Sequence, residues 1–191
     1  FHAEGEAYFL TEACEFRRSF LALRGDIAVV LSTDLDHTDC YADEGELLEA
    51  YKTYAAASAQ AVVNADDGNA AHLPHALSFG LYTGDVRAVH LGSDGERYFF
   101  TVSERGVPAV RVALNVRGRV QIYNALAAYC AARLAGLPPR EIKAGLEEFR
   151  GVRRRFEEAG RLGGAPVFLD YAHHPAEISA ALDTAQGLCK G

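Results

Sequence analysis

Apolar residues fill every position from Ile27 to Leu31 and again from Ala61 to Val63, and each run is followed at once by polar residues. Runs of this kind predict strands covered on both faces, as in a parallel sheet flanked by helices. Between them, Glu44 to Ala57 repeats at helical spacing, with Leu47, Leu48, Tyr51, Tyr54 and Ala55 on one face and Glu46 and Glu49 on the other. Strand, helix, strand in that order predicts an α/β fold with parallel pairing. Ahead of it, Ala7 to Thr11 reads as a short strand and Phe16 to Leu23 as a brief helix or turn.

The pattern changes after the turn at Asp66-Asp67-Gly68-Asn69. Ala76–Phe79, Val86–Leu91, Arg97–Val102 and Ala109–Leu114 are short runs with turn residues between them, which predicts a small antiparallel meander on the main sheet. Helical periodicity returns at Val120–Leu134, with Ile122, Leu126, Tyr129, Cys130 and Leu134 on one stripe, and Gly136, Pro138 and Pro139 end it. Arg140–Phe149 is a second helix. Gly151–Glu158 reads as a basic link, Pro166–Leu169 as a new strand, and the segment after Pro175 as a helix with Ile178, Leu182 and Ala185 inward. The division expected is one domain over 1–150, then a linker and the opening of a second domain over 151–191, because one strand and one helix do not make a domain.

Composition narrows the function. A net charge of −7 argues against nucleic-acid binding driven by general electrostatics. No apolar run reaches membrane-spanning length, and the first residues do not resemble a signal peptide. The four cysteines are scattered, with no CxxC pair, which favours a reduced, cytoplasmic setting. With no methionine anywhere, the chain reads as a piece of something longer.

Three groups of residues could carry chemistry. Asp34-Leu35-Asp36-His37-Thr38-Asp39 directly follows the strand of Ile27–Leu31, where ligands gather in an open parallel sheet. If the strand before Glu12 and Glu15 lies beside it, Glu12 and His37 converge, a donor pair adequate for Mg²⁺ or Mn²⁺. The ordinary reading is a polar loop that caps the next helix. Arg153-Arg154-Arg155 is a cationic run suited to phosphate or carboxylate, or else a solvated linker. His173-His174 precedes a helix that begins with Pro175, whose free N–H groups can face an anion. No phosphate-cradling G-x-x-x-x-G-K-[ST] loop is present, so a nucleotide-using enzyme would keep that loop elsewhere.

Six separated stretches together resemble one family, the ATP-dependent Mur ligases of peptidoglycan synthesis, and within it the alanine-adding branch. They are Glu12–Leu21, Asp36–Tyr41, Val62–Asp67, Asn124–Ala128, Gly151–Glu157 and Asp170–Ile178, in family order. The resemblance implies that 1–150 is most of a central ATPase domain and that 151–191 opens a Rossmann-like domain that receives the amino acid. It implies ATP and Mg²⁺ as cofactors and UDP-N-acetylmuramate and L-alanine as substrates, joined through an acyl phosphate in the bacterial cytoplasm. By the same likeness, Glu12 and His37 would bind Mg²⁺, Asn124 would lie near the adenine, Arg155 would face the phosphates, and Asp170 and His173 would reach ribose or phosphates. The phosphate loop would lie before Phe1, and the isolated stretch would be inactive. A sibling ligase that adds a preformed peptide, or a noncatalytic binding domain, are the alternatives. The family pattern has His-Asn where this chain has Val120-Gln121, and Lys52 is the one lysine near the place where some branches carry a carbamylated lysine.

Overall fold

A computed structural model describes residues 2–3, 8–35, 39–94 and 97–189. Its centre is a six-stranded sheet of β3 (Ile27–Val30), β4 (Gln60–Asn64), β5 (Leu77–Gly80), β6 (Val86–Ser93), β7 (Tyr98–Glu104) and β8 (Val107–Leu114), in that spatial order. The first three pairings are parallel and the last two antiparallel. Ahead of the sheet, β1 (His2–Ala3) and β2 (Phe9–Leu10) form a separate antiparallel ladder, and Phe16–Ala22 is a 3₁₀ segment.

Successive side chains of a strand point to opposite faces, and β3 and β4 use this to serve two cores. Ala28, Val30, Ala61 and Val63 pack with Phe20, Tyr41, Leu47 and Tyr54 on the side of α1 (Glu44–Ala57). Val62, with Ile27 and Val29 beside it, packs with Phe79, Phe100, Leu126 and Tyr129 on the side of α2 (Val120–Leu134) and α3 (Pro139–Glu148). Helix α1 starts where Asp43 accepts the Glu46 N–H at 2.9 Å, while Glu46 reaches back to the Ala42 N–H at 2.7 Å. Leu126 is fully buried on α2. Leu126→Ala is expected to cost about 2–5 kcal/mol, measured as a fall in the denaturant midpoint.

The expected antiparallel meander is present in β6, β7 and β8, but its first run lies outside it. Leu77–Gly80 belongs to the parallel half, and β6 begins parallel to it, with Phe79 opposite Val86 and Gly80 opposite Arg87. Parallel neighbours ordinarily need a crossover of a dozen residues or more, yet residues 81–85 suffice here. A Cβ at Gly80 would sit 2.5 Å from the Thr83 carbonyl oxygen and 2.7 Å from the Asp66 carboxylate, and Gly84 has φ +112. Only glycine lets the chain turn back so closely on itself.

Beyond α3 the structure also departs from the expected link. Glu157–Leu162 is a strand, β9, and it pairs antiparallel with β10 (Ala165–Leu169) across a Gly163-Gly164 turn. Helix α4 (Pro175–Leu188) follows. It approaches the start of α2 at Gly118, whose φ is +97 and where a Cβ would stand 3.0 Å from Thr184 Oγ1. Ile178 and Leu182, expected inward, are exposed. No helix among the described residues is long and apolar enough to cross a membrane.

Candidate functional site

A cleft of about 860 Å³ opens where the β3 and β4 strand ends, the first turns of α2, the end of α3, the 151–156 segment and α4 meet. Asn124, Arg155 and Asp170 all line it. The 151–156 segment is held there by backbone contacts rather than by burial. Arg154 and Phe156 have φ of +61 and +51, a left-handed conformation unusual for residues with side chains. Each is clamped. The Arg154 N–H donates to Glu157 at 2.8 Å, and its carbonyl accepts from Tyr171 N–H at 2.8 Å. The Phe156 N–H donates to Asp170 Oδ2 at 2.8 Å, and the Phe156 ring stacks on Phe168 with centroids 4.5 Å apart. The backbone of Arg155, between them, is thus fixed at the cleft.

Asp170 Oδ1 accepts the Ala172 N–H at 2.7 Å, so both of its oxygens already hold backbone. Arg155 Nη1 lies 3.4 Å from Glu177 Oε1, and Glu177 Oε2 accepts the His173 backbone N–H at 3.2 Å and stands 3.5 Å from His173 Nδ1. Partial burial raises the Glu177 carboxyl, but the His173 N–H and the Arg155 charge outweigh it and hold the group below the ordinary glutamate value. Of the two adjacent histidines, His174 caps α4 by accepting the Ala176 N–H at 3.4 Å, while His173 is exposed and does not line the cleft that holds Asn124, Arg155 and Asp170. Asn124 donates to Gln121 Oε1 at 3.2 Å, and Val120 beside them is exposed. Glu177 is the residue that sequence reading passed over. Its signal was its place three residues after the cap, where an acidic side chain folds back onto the helix start.

A second, acidic cleft adjoins the first through Ser32, Asn64 and Tyr123, and Thr33, Asp34, Glu44, Asp66 and Asp67 line it. Its two central carboxylates are occupied. Asp67 accepts from Thr33 N–H and hydroxyl at 2.9 and 2.7 Å and from the Asn69 and Ala70 N–H groups at 3.0 and 2.8 Å. Asp66 accepts from the N–H groups of Leu81, Tyr82 and Thr83 at 2.6, 3.1 and 2.9 Å, from the Thr83 hydroxyl at 2.7 Å, and from the Tyr123 hydroxyl at 3.0 Å. Burial raises both carboxyls, and these donors more than offset it, so both lie below the ordinary aspartate value.

His37 lies outside the described residues, as do Asp36 and Thr38. β2, the strand before Glu12, pairs with β1 and not with β3, so a shared sheet edge is not what relates the two segments. The link runs through Tyr41, whose hydroxyl donates to the Glu15 carbonyl at 2.6 Å, and through Ala13, Leu35 and Cys40, which pack on one core cluster. Glu12 itself is exposed, and among the described residues its carboxylate has no ion pair or hydrogen bond. No group of three or more His, Cys, Asp or Glu side chains among the described residues is arranged to hold a metal. Mg²⁺ takes only one or two protein oxygens and keeps water or phosphate for the rest, so an exposed lone carboxylate fits it where a protein cage would not be needed. Lys52 is paired with Glu49 at 2.6 Å within α1.

Comparison with known proteins gives a consistent set of likenesses. The family model of the Mur ligase middle domain matches residues 1–132. The chain is 36% identical over 187 residues to UDP-N-acetylmuramate–L-alanine ligase of Clostridium novyi, taking in 94% of this chain and 41% of that protein. It therefore spans about two fifths of the length of the curated relatives it matches. The crystal structure of UDP-N-acetylmuramate-alanine ligase MurC from Thermotoga maritima superposes with a TM-score of 0.81 at 25% identity, over 91% of this chain and 41% of that one. MurF from Acinetobacter baumannii shares the fold, with a TM-score of 0.74 at 20% identity, over 90% of this chain and 39% of that one.

Proposed function

The chain belongs to the Mur ligase family, and from that premise we propose that it is the nucleotide-facing part of an ATP-dependent ligase that joins L-alanine to the carboxylate of UDP-N-acetylmuramate. Residues 1–150 form most of the central domain, and 151–191 form the linker and the opening of the acceptor domain. The observation that carries this reading is that Asn124, Arg155 and Asp170, far apart in sequence, line one cleft.

Each residue has a role there. Asn124 lies toward the adenine end. Arg155 faces the phosphates, where a fixed guanidinium offsets charge on a transferring phosphoryl group. Asp170 holds the segment that carries Arg155, with ribose contact left to any further acceptor capacity of its oxygens, and His173 borders the phosphate side. Glu12 and His37 hold Mg²⁺, which when bound supplies charge neutralisation to the phosphates. The phosphate-cradling loop belongs to another part of the whole protein, so the 191-residue chain by itself is inactive.

The test uses the full-length protein with ATP, Mg²⁺, UDP-N-acetylmuramate and L-alanine. Phosphate release with formation of the amide is expected, and a tripeptide in place of L-alanine is expected to give neither. Turnover with the tripeptide alone would move the chain to a sibling branch, and no turnover with either would end the reading. Glu12→Gln and His37→Ala are each expected to lower turnover by about 100-fold or more, with a higher Mg²⁺ requirement and an unchanged melting temperature. Equal loss of stability and turnover would make them structural residues.

A further inference from the structure

We infer that Glu177 is the positioning residue for Arg155: one carboxylate oxygen steers the guanidinium while the other ties down the backbone at the start of α4. The inference rests on the ligase reading above for its kinetic test. Its geometric basis is independent of that reading.

Glu177 is the third residue of α4, after Pro175 and Ala176, with His174 as the cap. A glutamate at that place ordinarily folds back onto the N–H groups of the helix start and does nothing more. Here Oε2 does this, on the His173 N–H at 3.2 Å, and leaves Oε1 turned to the cleft, 3.4 Å from Arg155 Nη1. Both residues line the cleft. The partner is not an arbitrary one of the three arginines. Arg154 lays its guanidinium over the Tyr171 ring, 4.5 Å from the centroid, and Arg153 faces a separate pocket beside Arg97 and Arg150 and does not line this cleft.

The backbone around Arg155 is built for the same end. The left-handed residues Arg154 and Phe156 hold a conformation that costs about 1–3 kcal/mol each, and they keep it through Glu157, Tyr171 and Asp170. Those contacts fix where the Arg155 Cα sits. They leave its long side chain free to swing, and among the described residues Glu177 is the group that pairs with its far end. An ion pair this exposed adds little stability. Its consequence is orientation, because an arginine that stabilises a transferring phosphoryl group acts only when its fork is already aimed.

Glu177→Gln separates the two duties. The amide oxygen still accepts the His173 N–H, so α4 stays capped, while the charge that holds Arg155 is gone. In the full-length ligase, kcat is expected to fall about tenfold, near 1.4 kcal/mol of transition-state stabilisation, with the KM for ATP changed less than about threefold and the melting temperature unchanged. In an Arg155→Ala background the same substitution is expected to have no further effect, since neighbours acting as one unit are not additive. A merely capping glutamate would leave Glu177→Gln at wild-type turnover, and an equal effect in both backgrounds would show that it does not act through Arg155. Either result overturns the inference, as would a gain in turnover, which would make Glu177 a block. If the wild-type protein shows no ligase activity, the functional reading has failed, and the positioning claim is read from Arg155 itself. Its side-chain Nε–H resonance is expected to be ordered in wild type and motionally averaged in Glu177→Gln; an unchanged signal would overturn the claim.

Discussion

Arg155→Ala in the full-length protein is expected to lower turnover by about 10²- to 10³-fold and to leave the melting temperature within about 2 °C of wild type. The two halves of that expectation have different sources. Arg155 is about half exposed, and it pairs with Glu177 at 3.4 Å, so the pair contributes at most about 1 kcal/mol to the fold. The segment around it is held by main-chain bonds to Asp170, Glu157 and Tyr171, none of which needs the Arg155 side chain. In the proposed role, by contrast, charge stabilisation of phosphoryl transfer would be made only during reaction and would be lost in full when the guanidinium goes. Arg154→Ala is the matched comparison, because that guanidinium packs on Tyr171 away from the cleft lining. It is expected to reduce turnover by less than about tenfold. Steady-state kinetics with thermal melts on both variants checks this, and similar losses from the two would remove Arg155 from the phosphate site.

How much of this was legible in the sequence depended on whether the signal was local. Helices α1 and α2 have the bounds that their apolar stripes predict, since a 3.6-residue repeat is written into neighbouring positions. Strands β3 and β4 read correctly for a similar reason: residues covered on both faces must be apolar throughout. β9 could not be read that way. Glu157–Leu162 has two glutamates, a glycine and an arginine, and it is a strand because β10 offers it a ladder. Nor could the place of β5. Its short spacing from β6 is that of a hairpin, and what makes the return parallel is the Asp66 carboxylate with two glycines. The site divides along the same line. Likeness to a family picked out Arg155 and Asp170, but their approach depends on bonds between residues 14 or more positions apart. Asp66 and Asp67 read as turn residues and are instead acceptors for donors as distant as Tyr123 and Thr33.

Asp66→Ala is expected to destabilise the fold by about 3 kcal/mol or more, because it strips the acceptor from several partly buried donors at once. The loss spreads because the carboxylate joins three elements: the end of β4, the 81–85 return and α2 through Tyr123. Gly80→Ala should mimic it from the other side, since the new methyl would stand 2.7 Å from the same carboxylate oxygen. Asp66→Asn keeps one acceptor oxygen but turns an amide N–H₂ toward N–H donors, so its cost should fall between wild type and alanine. The pH dependence follows from the direction of the shift. The Asp66 carboxyl is depressed in the folded state, so its contribution is complete above the unfolded value of about 3.9 and is lost as pH falls through the lower folded value. The stability gap between wild type and Asp66→Asn is therefore expected to be widest near neutrality and to narrow below pH about 4. Denaturant unfolding at both pH values, with amide exchange at Leu81, Tyr82 and Thr83 as the local readout, measures it. A gap that stays constant into acid would mean that the ionised form of Asp66 does not hold the return, and that the wall between the two clefts is fixed by something else.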